Sequence, residues 1–118
     1  WLDEQLCAYP QRPTLVALHH HPLPIGSAWM DAIALENPDE FLAVLDRHPQ
    51  VKLVLHGHIH QDFAAQRNGV DFFGTPSTCV QFKPQTPKLV IDDVAPGFRE
   101  IILHPNGTFE TQVVRVTS

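Results

Sequence analysis

The sequence predicts an α/β fold on a mixed sheet, with a parallel strand–helix–strand unit first and antiparallel hairpins after it. Three observations predict it. Two contiguous apolar runs, "LVAL" at 15–18 and "VKLVL" at 51–55, have the length and continuity of strands in a buried parallel sheet. Between them, "NPDEFLAVLDRHP" carries both the start and the stop signals of a helix. Beyond them, Asn68-Gly69 and Asn106-Gly107 each interrupt a strand-like run with a hairpin dipeptide.

Residues 1–13 contain Pro10 and Pro13 and read as the tail of a preceding helix ("WLDEQL") followed by a linker. Thr14 to His19 is the first strand, expected to be buried on both faces and ended by Pro22 and Pro24. Residues 22–37 read as irregular, with a helical turn or two from Trp29 to Leu35. The clear helix follows. Asn37 is placed to cap it and Pro38 suits its first position. Asp39 and Glu40 complement the positive end of its dipole, and Pro49 stops it. Phe41, Leu42 and Leu45 share its apolar face. Val51 to Gly57 is the second buried strand, and the strand–helix–strand order implies a parallel crossover. "FAAQRNGVDFF" and "FREIILHPNGTFETQVVRV" read as hairpins, with "TCVQFKP" a short strand between them.

Composition narrows the function. A chain of 118 residues, 43% hydrophobic, is enough for one domain with a modest core. No apolar run approaches the ~18 residues of a membrane span, and the start carries no signal-peptide pattern. Eight basic residues against thirteen acidic ones, with no basic stripe, argue against nucleic-acid binding. Cys7 and Cys79 follow no metal or redox spacing and read as reduced thiols of a cytoplasmic protein. The chain opens on Trp1 without an initiator Met, which suggests a piece of a longer protein.

Histidine is the anomaly: six of the eight lie in "LHHHP" and "HGHIH". Both clusters fall at the C-terminal ends of predicted neighbouring strands, the edge where open parallel sheets bind ligands. In an extended segment residues i and i+2 face the same side, and Gly57 would let the chain bend there. Two imidazoles so placed begin a transition-metal site. Spacing alone does not choose between His56/His58 and His58/His60. Asp31 and Asp62 are the nearest acids and read as solvated loop residues. Ser77 lacks a nucleophile-elbow or triad pattern, and no phosphate-binding glycine loop is present. A structural zinc site would need a fourth protein ligand that the sequence does not offer.

"LHHHPLP" followed by "GHIH" about 35 residues later resembles the last two motifs of the calcineurin-like metallophosphoesterases. With "GTPSTCVQFKP" and "APGFREIILHPNGT", the chain is similar to the bacterial cyclic-AMP phosphodiesterase branch of that superfamily. The resemblance runs from about Thr14 onward. It implies the C-terminal half of an α/β/β/α sandwich, with residues 1–118 as one portion of a larger domain. It also implies metal ligands at His20, His58 and His60, the last two serving different metals. His19 and His21 become neighbours that support a ligand or face substrate, and Thr75, Ser77 and Thr78 candidates to line the pocket.

The implied cofactors are two divalent ions (iron, manganese or zinc), and the implied reaction is metal-hydroxide attack on the phosphorus of 3′,5′-cyclic AMP to give 5′-AMP. The family's Asp-x-His, Gly-Asp and Gly-Asn-His motifs are absent, so no catalytic residue is expected within the chain, and the chain alone is expected to be inactive. Its implied partners are the cyclic nucleotide and the missing N-terminal half. A sheet face left bare by that half, with Leu15, Ala17, Val54 and the strands after Thr78 contributing, predicts a homo-oligomer. A non-catalytic binding or assembly module, or a phosphodiesterase for another phosphodiester, are the alternatives.

Overall fold

The structure is a computed structural model that describes residues 1–117. Its elements are α1 (Leu2–Ala8), β1 (Thr14–Leu18), α2 (Ala28–Asp31), α3 (Pro38–Asp46), β2 (Val51–His56), β3 (Phe63–Arg67), β4 (Val70–Gly74), β5 (Gln81–Phe82), β6 (Ile91–Asp92), β7 (Gly97–Leu103) and β8 (Phe109–Arg115). The expected α/β class with a mixed sheet and later hairpins is what the chain adopts. Four strands form one sheet in the order β1-β2-β4-β3. β1 and β4 both run parallel to β2, and β3 runs antiparallel to β4. β5-β6 and β7-β8 are separate two-stranded ribbons.

Local chemistry explains most of these elements. Asn68 and Gly69 both take positive φ (50° and 77°), as a two-residue hairpin turn between β3 and β4 requires. The β7-β8 connection differs from that pattern. His104 pairs with Thr108 across a loop of Pro105, Asn106 and Gly107, and the Asn106 side chain accepts from the Thr108 N–H and hydroxyl. Pro38 starts α3 as expected, but the Asn37 side chain makes no capping bond; only its carbonyl engages, accepting from Phe41 N–H.

Three expectations need correction. β1 is not buried on both faces: Leu15 is half-buried and Ala17 exposed, because β1 pairs on one side only. β2, flanked on both sides, carries the fully buried Leu53 and Val54. Val54 therefore does not belong to any bare face; it packs in the core with Leu6, Leu42, Leu45, Val51 and Phe72. The stretch expected to be a tail and linker is more than that. Leu6 of α1 is a core residue, and its carbonyl accepts from the buried Gln50 side chain at 2.8 Å.

A second, smaller core of Ile25, Met30 and Ile59 lies at the end of the sheet, flanked by Trp29, Phe63 and Phe82. It underpins the histidine segments. Leu18 pairs with His56 in parallel register, so the chain leaves β1 and β2 side by side at one edge.

Candidate metal centre

That shared edge brings the two histidine clusters together. The rings of His19 and His20 lie 5.0 and 4.6 Å from that of His58, and 5.0 Å from each other. One nitrogen from each of the three falls within 4.8 Å of the others, a spacing that could hold one metal ion. His19, expected to be only a neighbour, thus contributes to the cluster as directly as His20 does: its Nε2 is 3.2 Å from His58 Nδ1.

His60 stands apart from this cluster. The expectation that an extended strand would aim His58 and His60 the same way fails, since both adopt left-handed backbone (φ 69° and 53°). Two such non-glycine residues store strain of ~1–3 kcal/mol each. Ile59 between them is fully buried, and its burial, worth ~2 kcal/mol or more, offsets part of that strain. Gly57 has no positive φ; the bend expected of it is made by the histidines. His58 Nε2–H donates to the Ile33 carbonyl at 3.0 Å, which leaves Nδ1 as the free lone pair facing His19 and His20. His60 Nδ1–H donates to the Val80 carbonyl at 2.9 Å, and its ring stacks on Phe82 at 4.2 Å. Its Nε2 is left free by that bond.

Behind these rings lies a buried polar layer. His21 is fully buried, and its Nε2–H donates to Asp31 at 3.0 Å. Asp31 also accepts from the backbone N–H of Ile25 and Gly26, so it is an organiser of the loop and not the solvated acid expected. The second acid, Asp62, pairs with Arg99 at 2.8 Å. Burial pushes the His56 ring down to about 4, against a weaker opposing bond to the Gly57 carbonyl. Among the described residues, His56 Nε2 and His21 Nδ1 are buried without a hydrogen-bond partner.

The hydroxyls expected to line a pocket gather no such contacts among the described residues. Ser77 accepts from Cys79 N–H within its own turn, its backbone pairs with the Gln81 side chain, Thr75 N–H donates to the His56 carbonyl, and Thr78 is exposed. The sequence offered no signal for the Ile33 and Val80 carbonyls, because a backbone oxygen carries no residue-type signature.

The donor set fits a divalent transition metal. Burial first, and then the neighbouring His20 and His19 rings, hold His58 below the usual histidine range, which keeps a lone pair available near neutrality. Backbone carbonyls fix the tautomers of His58 and His60, the arrangement by which metal-binding imidazoles are usually oriented.

Known proteins share this sequence closely. The chain is 52% identical over 116 residues to the 3′,5′-cyclic-nucleotide phosphodiesterase of Nostoc sp., covering 98% of the chain and 44% of that relative. It is 47% identical over 116 residues to the 3′,5′-cyclic adenosine monophosphate phosphodiesterase CpdA of Escherichia coli K12, covering 98% of the chain and 42% of the relative. CpdA of Vibrio vulnificus is 46% identical over 117 residues, covering 99% and 43%. The chain therefore spans less than half the length of the curated relatives it matches. Residues 1–62, more than half of it, match the calcineurin-like phosphoesterase family model, and with the histidine segments of that span at the shared edge of β1 and β2, the chain belongs to the calcineurin-like phosphoesterase family.

Proposed function

We propose that residues 1–118 are the C-terminal portion of a two-metal phosphodiesterase that hydrolyses 3′,5′-cyclic AMP to 5′-AMP. The observation that carries this reading is the convergence of His20 and His58, with the His58 Nδ1 lone pair aimed at the cluster. The printed activities of the relatives give the substrate. His20 and His58 hold one ion. His60, held apart by Val80 and Phe82, serves the other. When bound, two ions of the iron, manganese or zinc class activate water and neutralise phosphate charge. His19 completes that cluster, its Nε2 3.2 Å from His58 Nδ1, and His21 supports it through its bond to Asp31.

The remainder of the site belongs to an N-terminal half. An apolar groove of about 480 Å³ between α1 and β1, lined by Trp1, Leu2, Leu6, Val16 and Phe41, leaves β1 open on the side where that half would continue the packing. The chain alone is inactive and associates with itself. The whole enzyme works in the cytoplasm, without nucleic acid or membrane.

The test is cyclic-AMP hydrolysis by the whole protein with manganese, followed by chromatography of 5′-AMP. Turnover lost in His58→Ala and in His60→Ala, with none from residues 1–118, is the expected result. Hydrolysis of another phosphodiester with cyclic AMP untouched would overturn the substrate, and robust turnover by residues 1–118 would overturn the division of the site. A 13.3 kDa monomer by light scattering would remove the self-association.

A further inference from the structure

We propose that Asp3, Cys7 and His48 form a second metal site, apart from the histidine cluster, for a single ion of the zinc class. Asp3 and Cys7 are four residues apart on α1 and so share one helix face. His48 follows the end of α3 and meets that face. One candidate ligand atom from each of the three lies within 4.8 Å of the others. His48 Nε2 is already 2.7 Å from Asp3 Oδ1, and the imidazole is buried.

The arrangement is held by contacts independent of these side chains. Leu6, between Asp3 and Cys7, is anchored in the core. The buried Gln50 side chain donates to the Leu6 carbonyl and ties α1 to the turn before β2. The three donors therefore converge on a rigid frame, which lowers the ordering needed on binding.

The donor chemistry selects the ion. A thiolate, an imidazole and a carboxylate with one position left to water make a three-ligand tetrahedral zinc site. A thiolate disfavours magnesium and calcium, which take oxygen ligands. Binding releases the thiol proton of Cys7 and requires the neutral His48 ring to carry its proton on Nδ1, leaving the Nε2 lone pair for the ion. Arg47 also touches Asp3, donating at 3.1 Å to the same Oδ1 that faces His48, and opposes a cation; it is an exposed side chain that would give up this oxygen when an ion binds. Cys7 is exposed, so the ion exchanges with solvent. Such an ion would clip α1 to the end of α3.

Cobalt(II) is the probe, because sulfur–cobalt charge transfer absorbs in the near ultraviolet and imidazole–cobalt pairs do not mimic it. Within residues 1–118, Cys79→Ser leaves Cys7 as the remaining thiol. Cobalt in excess of the histidine cluster is expected to raise that band, and zinc to abolish it. The band should vanish in Cys7→Ser, an exposed and conservative change. In Asp3→Asn and His48→Gln the affinity should fall by more than the ~10–100-fold expected for loss of a group that only supports a ligand. Zinc should also raise the thermal midpoint of the Cys79→Ser protein by more than that of its Cys7→Ser derivative, in which the histidine cluster remains. Absence of the band under saturating cobalt, or its persistence in Cys7→Ser, would overturn the site and leave the Asp3–His48 contact as a hydrogen bond alone.

Discussion

His58 and Ile33, 25 residues apart in sequence, are joined by a 3.0 Å hydrogen bond from the ring Nε2–H to the backbone carbonyl. That bond decides which nitrogen of His58 meets His19 and His20. It also makes the segment after α2 part of the candidate metal centre through the Ile33 carbonyl. The same device recurs at His60 with Val80, 20 residues downstream. Two strand-end histidines are thus oriented by carbonyls from opposite directions along the chain.

On the proposed two-metal reading, replacing His58 with Ala in the whole protein should remove one metal and lower cyclic-AMP turnover by more than the ~10–100-fold of a merely supporting group. His104→Ala should leave both unchanged, because His104 sits on an exposed hairpin paired with Glu110. Metal analysis and initial rates check both. Full metal occupancy in His58→Ala would remove His58 from the site.

Gly74→Ala should lower stability by ~1–3 kcal/mol, the range for forcing an extra group into a packed core. A Cβ there would lie 2.5 Å from Ile59 Cδ1 and 3.0 Å from His56 Cε1. Ile59 links His58 to His60, so metal affinity should weaken with it. Urea unfolding and metal titration on the same variant check the pair; a neutral outcome would show that Ile59 can move freely.

Gly69→Ala is the contrasting case. Nothing lies within 4 Å of a Cβ at that position, but φ is +77°. The change should cost ~1–2 kcal/mol through left-handed strain alone and leave metal binding intact. A loss of metal from this variant would show that the β3-β4 turn is coupled to the site.

Asp46 predicts the acid limit. The Arg67 guanidinium, and after it the Asn68 amide, hold its carboxyl below the usual 3.8. The unfolded chain therefore takes up the proton first. The contribution is present in full above about pH 4 and is lost as pH falls through the lowered folded value. The urea midpoint should drop between pH 5 and pH 3, and by less in Asp46→Asn. Equal drops in the two proteins would mean that the contact between α3 and the β3-β4 hairpin adds nothing to stability.

Much of this was legible in residue order. The parallel unit β1-α3-β2 and the β3-β4 hairpin rest on local signals: apolar runs, a proline at a helix start, an Asn-Gly turn. The convergence of His20 with His58 followed from strand ends at one sheet edge. The role of α1 was not legible, because a seven-residue helix carries too little periodicity to announce that Leu6 is core. Asp31 was misread for a related reason: its three hydrogen bonds come from His21, Ile25 and Gly26, folded back across a loop with no regular pattern.

By itself the sequence determined the element types and the strand ends at which the histidines emerge, since these depend on neighbours a few residues away. The tertiary structure decided which imidazole nitrogens are free and that His19 joins His20 and His58 while His60 turns aside. Those outcomes depend on the Ile33 and Val80 carbonyls and on the burial of Ile59. All three act across 20 or more residues or through packing, and together they hold His58 and His60 in a left-handed backbone that local preference disfavours.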